Sequence, residues 1–510
     1  MQTTYRTVIS PANEKAYQYF EEMGRLFGSL ERRLFVDWHI LGRGWSELKK
    51  EYQVKYGITA RQFNSLFNSV AGKVSSVAEV LKYRETTLKG QIESVEKFIK
   101  EKERTAKNAR KRLKQKKVKQ GSAEWEAIVR KLARLKFVLH QKKRRLRNLR
   151  HKLAGVQQDM KRGKYRICFG GRKLLRAQHN LEANEYRDHA EWAKAWREMR
   201  SSSFFVLGSK DESYGNQTCT YSYDNALRLR VADQMKDRYG VHLTIPDVTF
   251  PYGQDELDKA RQFVKARDGK GRPKKVYDGA ISYRFLKRKD RWYVHASLER
   301  RDPAPATRQG NGAIGVDLNY GFLAVGDVDR FGNPLGELLI PVPMRDRSTD
   351  QINADLGDAL KQVMELAVVK NKPVAMESLD FDKKKRSLRE KGARYSRMLS
   401  GLVYAKYQKM AQSAASRAAV ELIQVDPFAT SAAGQVKFMA RYGLSSHGAA
   451  ACVIARRGLG LKLEDTAVSN VLALPDRMRT KRRMYWLQVC RCLKAERFGH
   501  RINLLYADSF

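Results

Sequence analysis

Two acidic residues stand in runs that are otherwise apolar, and their types and positions suit metal chemistry. Asp317 lies in Gly312-Ala313-Ile314-Gly315-Val316-Asp317-Leu318-Asn319. On a strand its side chain points to the opposite face from Val316 and Leu318. A carboxylate on a central strand is costly unless a metal or a base partners it. Glu377 closes a second apolar run, Pro373-Val374-Ala375-Met376-Glu377, and ligand chemistry in such sheets gathers outside strand ends. Hard oxygen donors from separate strands are what a pair of Mg2+ ions about 4 Å apart requires for phosphodiester cleavage.

The elements that must position these groups are legible around them. The strand with Asp317 is followed by a second strand at Phe322–Val328. A turn at Asp329-Arg330-Phe331-Gly332-Asn333 leads to a third strand at Leu335–Val342, completing an antiparallel meander. A helix follows, capped by Ser348, Thr349 or Asp350, with Ile352, Leu356, Leu360, Val363 and Ala367 as its apolar stripe. After the strand that ends in Glu377 come a basic helical region over about Tyr395–Val420 and a strand at Glu421–Val425 closed by Asp426-Pro427. A last helix begins near Leu444 and ends at Gly458. The order β-β-β-α-β-α-β-α, with Asp in the first strand and Glu in the fourth, is the RNase H-like arrangement. Asp327, Asp329, Asp380 and Asp382 read as hairpin and loop residues.

The rest of the chain is dominated by positive charge. Its 510 residues hold 100 Lys and Arg against 55 Asp and Glu, a net charge of +45. That excess makes a polyanion the expected partner. No apolar run is long enough to span a bilayer, which turns the expectation from a membrane surface to nucleic acid. The five cysteines, Cys168, Cys219, Cys452, Cys490 and Cys492, form no CxxC pair. They predict neither a zinc site nor a disulfide framework, and suit a reducing cytoplasm.

Between residues 88 and 160 apolar positions recur in steps of three and four. Leu88, Ile92, Val95, Ile99, Ala106, Ala109 and Leu113 form one series. After Gly121-Ser122, Trp125, Ile128, Leu132, Leu135, Leu139, Leu146, Leu149, Leu153 and Val156 form another. Two such seams joined by a turn predict an antiparallel coiled-coil hairpin. Residues 97–162 carry 25 Lys and Arg against 5 Asp and Glu. Like charges at helical spacing repel, so a rod that tolerates them is expected to lie along a phosphate backbone. Residues 164–299 change to short β-rich runs, at Phe204–Leu207, Ala226–Val231, Val241–Ile245 and Trp292–Leu298, with one helix near Asn184–Ser201. They predict a small barrel or sandwich with aromatic and basic residues interleaved. Gly170-Gly171 fits no nucleotide-binding loop. Arg477–Arg483 and Trp486 suit either nucleic acid or an amphipathic packing helix.

The segments IGVDLN (314–319), MESLDF (376–381), VDPFATS (425–431) and HGAAACVIARR (447–457) resemble the three RuvC segments of TnpB, the insertion-sequence RNA-guided nuclease, and of its type V CRISPR effector descendants. CFGGRKLLRAQ (168–178) and SSSFFVLGSKDESYGNQTC (201–219) resemble the TnpB-related subgroup. The resemblance spans most of 163–460, and residues 12–160 match only in kind. It implies a multidomain α+β protein. Residues 1–11 would be the first strand of a wedge-type β-barrel, 12–162 a helical recognition insert, 163–307 the remainder of the wedge, and 308–510 a RuvC nuclease domain. It implies a guide RNA and a target DNA as partners, Mg2+ or Mn2+ as cofactor, and a place in the cytoplasm at a prokaryotic nucleoid. Asp317 and Glu377 become the first two metal ligands. Two departures stand out. The family's zinc ribbon is missing or degenerate, because Thr430-Ser431-Ala432-Ala433-Gly434 runs almost directly into the last helix. His447 stands where the family's third motif has Asp, two residues before Ala449-Ala450-Ala451. As a third ligand it would favour the softer Mn2+. Asp426 is the alternative donor, or the cap of its proline turn. The expected activity is RNA-guided DNA cleavage. The alternatives are an RNA-guided DNA binder or repressor with a weak or lost nuclease, and a DNA-joining transposase.

Overall fold

A computed structural model describes residues 2–115, 118–267, 273–300, 302–344, 346–378, 404–461 and 482–495. Asp380, Asp382, the Gly269–Gly271 turn, the start of the basic region at 395–403 and Arg477 lie outside them. The chain is a mixed α+β protein that divides into two units. One comprises Met1–Lys89 with Asn148–Arg301, the other Gly90–Arg147 with Asp302–Phe510. No helix among the described residues is long and apolar enough to cross a membrane.

The first unit is built on strand β1 (Gln2–Val8), helices α1 (Glu14–Leu34) and α2 (Trp45–Tyr56), the part of α3 (Ala60–Lys114) up to Lys89, the part of α4 (Ala123–Arg162) from Asn148, and α5 (His189–Met199); the rest of α3 and α4 belongs to the second unit. Its further strands are β2 (Ser203–Val206), β3 (Cys219–Tyr221), β4 (Leu227–Arg230), β5 (His242–Ile245), β6 (Phe263–Arg267), β7 (Pro273–Tyr277), β8 (Ile281–Arg288) and β9 (Arg291–Glu299). They form three open sheets, ordered β1-β9-β8-β2, β3-β4-β5 and β6-β7. Among the described residues no sheet closes, so the expected barrel is corrected to a set of open sheets. The reason is visible in the core. Strand β9 alternates buried and exposed residues, and its apolar face is roofed by α1 instead of being curled inward. Phe20 of α1 packs 5.0 Å from Phe285 and 5.4 Å from Trp292, and Phe204 stacks on Phe285 at 4.4 Å. The N-terminal strand pairs antiparallel with β9, Gln2 opposite Glu299 through Val8 opposite Tyr293.

Helices α3 and α4 make the basic hairpin. Leu88, Val95, Ile99, Ala106 and Ala109 of α3 are buried, as are Ile128, Leu149 and Val156 of α4, and the other positions of the two series are half-buried. Helix α3 begins at Ala60, well before the seam. Sparse acidic residues stitch the two faces: Lys143 pairs with Glu103 at 2.7 Å and Arg112 with Glu124 at 2.6 Å.

The second unit centres on one five-stranded sheet. Its strands are β10 (Ala313–Asn319), β11 (Phe322–Val328), β12 (Pro334–Pro341), β13 (Val374–Glu377) and β14 (Leu422–Val425), in the order β12-β11-β10-β13-β14. The first three are antiparallel, while β13 and β14 join parallel to β10. Helices α6 (Thr349–Lys370) and α7 (Tyr404–Arg417) pack on one face through Ile314, Val316, Leu323, Val325 and Met376. Ser348 caps α6 with a complete capping box. Helices α8 (Thr430–Gly434), α9 (Ser446–Gly458) and α10 (Arg482–Ala495) lie on the other face. Tyr485, Trp486, Val489 and Leu493 of α10 are buried there, so that helix packs through its apolar side.

Asp327 is not a hairpin residue. It faces α6 from β11, 8% exposed, with its carboxylate 2.6 Å from both Lys370 and Lys372, and Lys372 is 7% exposed. Removing one partner of a buried pair strands the other charge. Asp327→Asn is expected to lower stability by about 3–5 kcal/mol, read as a shift in the guanidinium midpoint of the second unit; an unchanged midpoint would show that the pair adds nothing.

Candidate metal centre

The site begins with a row of small residues in the sheet. Glu337 of β12 pairs with Gly326 of β11, Gly326 with Gly315 of β10, and Gly315 with Ala375 of β13. Helix α9 lies across this row. A Cβ at Gly315 would fall on the Ala451 carbonyl oxygen, and one at Gly326 would come within 2.6 Å of the Cys452 nitrogen. The helix answers with Gly448, Ala449, Ala450, Ala451, Cys452, Ala455 and Gly458, all buried. Backbone therefore meets backbone, which only residues of this size permit.

The next row along the strands carries the acids. Asp317 lies opposite Ala324 of β11. The parallel ladder of β10 and β13 pairs Val316 with Met376, so Glu377 falls beside Asp317 one position on. Neighbouring strands run about 4.8 Å apart, and lateral neighbours project to one face. Both carboxylates thus rise on the α9 side, next to its first turn.

His447, in that first turn, reaches Asp317: its Nδ1 is 3.5 Å from Oδ2, with Asp317 14% and His447 47% exposed. The imidazole stands edge-on to Phe322 at 5.1 Å. Asn319 donates from Nδ2 to the same Asp317 oxygen at 3.0 Å. Glu377 accepts from the Thr430 hydroxyl at 2.5 Å, and Thr430 is buried. Asp426 is exposed at the end of β14, where its carboxylate accepts the Phe428 N–H at 3.1 Å. That is the geometry of a turn cap. Arg457 of α9 donates to the carbonyl oxygens of Asp426 and Phe428. Burial pulls its pKa below the ordinary value, against the upward pull of the Asp426 and Glu377 carboxylates.

His447 thus meets Asp317, the strand register puts Glu377 one position past the Val316–Met376 pair, and Asp426 lies beyond them at the turn that Arg457 holds. Among the described residues no three His, Cys, Asp or Glu side chains stand close enough to share an ion. By type alone, two carboxylates and one imidazole are donors that a hard divalent cation accepts. Cys452 is no donor. Burial, then the Glu337 and Asp327 carboxylates, push its thiol up to about 12, so it packs as a small neutral side chain. Sequence reasoning missed Glu337, Asn319, Thr430 and Arg457 as contributors. The signals were present: Glu337 is the lone charge in PLGELLIP and Asn319 follows Asp317 by two.

No protein-family model matches the chain, and no curated protein matches it.

The close approach makes a sharp test. Gly315→Ala is expected to lift α9 off the sheet and cost about 3 kcal/mol, the upper range of overpacking, seen as a lower melting temperature. A variant as stable as the parent would refute the backbone contact.

Proposed function

We propose that this protein is an RNA-guided, divalent-metal-dependent DNA endonuclease whose nuclease site lies at Asp317 and Glu377. The observation that carries the reading is their lateral placement on adjacent parallel strands, with His447 against Asp317. The order of the five strands agrees with the RNase H-like arrangement, and the RuvC-like segments fall on these same strands and on α9. Asp317 and Glu377 would hold the ions, with His447 as third donor and Asp426 as the alternative. Mg2+ or Mn2+ bound there supplies activation of water and neutralisation of charge on the leaving oxygen. The protein's own side chains fix the donors. Asn319 orients the Asp317 carboxylate, and the buried Thr430 hydroxyl orients that of Glu377. A neutral imidazole at His447 offers a lone pair, and its softer nitrogen favours Mn2+ over Mg2+.

The hairpin of α3 and α4 supplies the nucleic-acid surface. Residues 97–162, which include most of its length, carry 25 basic against 5 acidic residues. Such a surface reads backbone charge and duplex shape, leaving sequence to guide pairing. In this reading the open sheets of the first unit would serve as the wedge.

A second reading, an RNA-guided DNA binder or repressor without cleavage, is favoured by one feature. The Glu377 carboxylate is engaged by Thr430, and the third position holds an imidazole in place of a carboxylate.

With copurified RNA and matching target DNA, Asp317→Ala and Glu377→Ala are each expected to abolish cleavage while leaving target binding within about twofold. Activity in Mn2+ exceeding that in Mg2+ would mark His447 as a donor, whereas cleavage retained in the double variant would exclude this site. No parent cleavage in either metal, with guided binding intact, would favour the second reading. Replacing the exposed Arg144, Arg147 and Lys152 by Ala is expected to weaken RNA binding. The same change should flatten its salt dependence by up to about one logarithmic unit for each phosphate no longer neutralised. An unchanged slope would remove the hairpin from the interface.

A further inference from the structure

We infer that Glu337, in the middle of β12, is a positioning residue that holds His447 over Asp317. The consequence for metal binding rests on the reading above; the geometry does not. Glu337 is the only charged residue of its strand, and its carboxylate faces α9. Oε1 accepts the Ser445 backbone N–H at 2.9 Å, and Oε2 accepts the Ser445 hydroxyl at 2.7 Å. Ser445 is the N-cap of α9, and its Oγ in turn accepts the Gly448 N–H at 3.0 Å. The cap is thus tied to the sheet by a bidentate contact. A helix leaves its first N–H groups without intrahelical partners, and a carboxylate at that end also suits the helix dipole.

Gly448 completes the device. A Cβ there would overlap the Glu337 carboxylate, so the glycine leaves the space that the carboxylate fills. His447 lies between Ser445 and Gly448, the two residues that the carboxylate fits against. Among the described residues its half-exposed ring meets Phe322 and one oxygen of Asp317. Those two contacts are too few to fix a freely rotating imidazole. Its place is set by the first turn of α9, and Glu337 sets that turn. Supports of this kind behind a metal donor change metal affinity without touching the ion, commonly by tenfold or more.

The test uses the full chain labelled with 15N and 13C at its nine histidines, with the His447 ring signal assigned through His447→Gln. Three readouts are taken: that signal, which carries the ring-current shift of Phe322, the melting temperature, and Mn2+ affinity from the free-ion EPR signal. Glu337→Val is expected to move the His447 signal towards that of a free histidine and to weaken Mn2+ binding about tenfold. Glu337→Gln, which keeps an acceptor for Ser445, is expected to restore the signal. If Glu337→Val fails to fold, Gly448→Ala displaces the carboxylate from the helix side and should shift the same signal. An unmoved His447 signal in both Glu337→Val and Gly448→Ala overturns the proposal. A melting-temperature loss that Glu337→Gln leaves unrescued overturns it too, reducing Glu337 to a stabilising contact. Should the ring respond as expected while the parent binds no Mn2+, the positioning stands and the metal reading falls.

Discussion

The backbone of α9 lies against the backbones of β10 and β11, and the candidate centre depends on that approach. Gly315 and Gly326 remove side chains from the sheet, and the run from Gly448 to Ala455 removes bulk from the helix. Any larger residue on either side would push the helix outward. His447 would then leave Asp317, because the imidazole is carried by the helix and the carboxylate by the strand. The acids are separated from this contact by only one row of the sheet. A constraint made entirely of small apolar residues therefore fixes the distance between polar ones.

Close packing alone does not fix the rotation and slide of a helix, and polar contacts at its two ends do so. At the start, Glu337 holds Ser445; near the end, Arg457 grips the carbonyl oxygens of Asp426 and Phe428. The loop held by Arg457 leads into Thr430, which reaches Glu377. Each acid is thereby oriented by a hydrogen-bonding neighbour, Asp317 by Asn319 and Glu377 by Thr430. On the opposite face, Asp327 with Lys370 and Lys372 shows the same residue type in a structural role. What separates Asp317 from Asp327 is the face of the sheet on which each emerges.

The hairpin of α3 and α4 follows a different logic. Its seam is thin, and its outer faces repel themselves through unbalanced basic residues. Cross-helix pairs such as Lys143 with Glu103 relieve part of this. The arrangement makes sense when an external polyanion supplies the missing negative charge, which is the link from composition to the proposed function.

Much of this was legible in the primary structure. Periods of two and of three-to-four placed the strands of the second unit, helix α6 and the hairpin seam, because burial of an apolar face is a local pattern. The positions of Asp317 and Glu377 on their strands followed in the same way. Parallel pairing was not legible, since β10 and β13 are joined through two strands and a helix, and lateral register depends on partners distant in sequence. The barrel expectation failed for a related reason: alternation shows that one face of β9 is buried, but not that α1 is what buries it. Thr430 and Arg457 were invisible for want of a local pattern, and Glu337 showed only as the lone charge of its strand, their roles being set by what lies across the sheet. Sequence by itself determined the residue types on each strand and the positive charge of the hairpin. Tertiary structure alone decided which of them meet, because distances between chain segments far apart in sequence are set by packing.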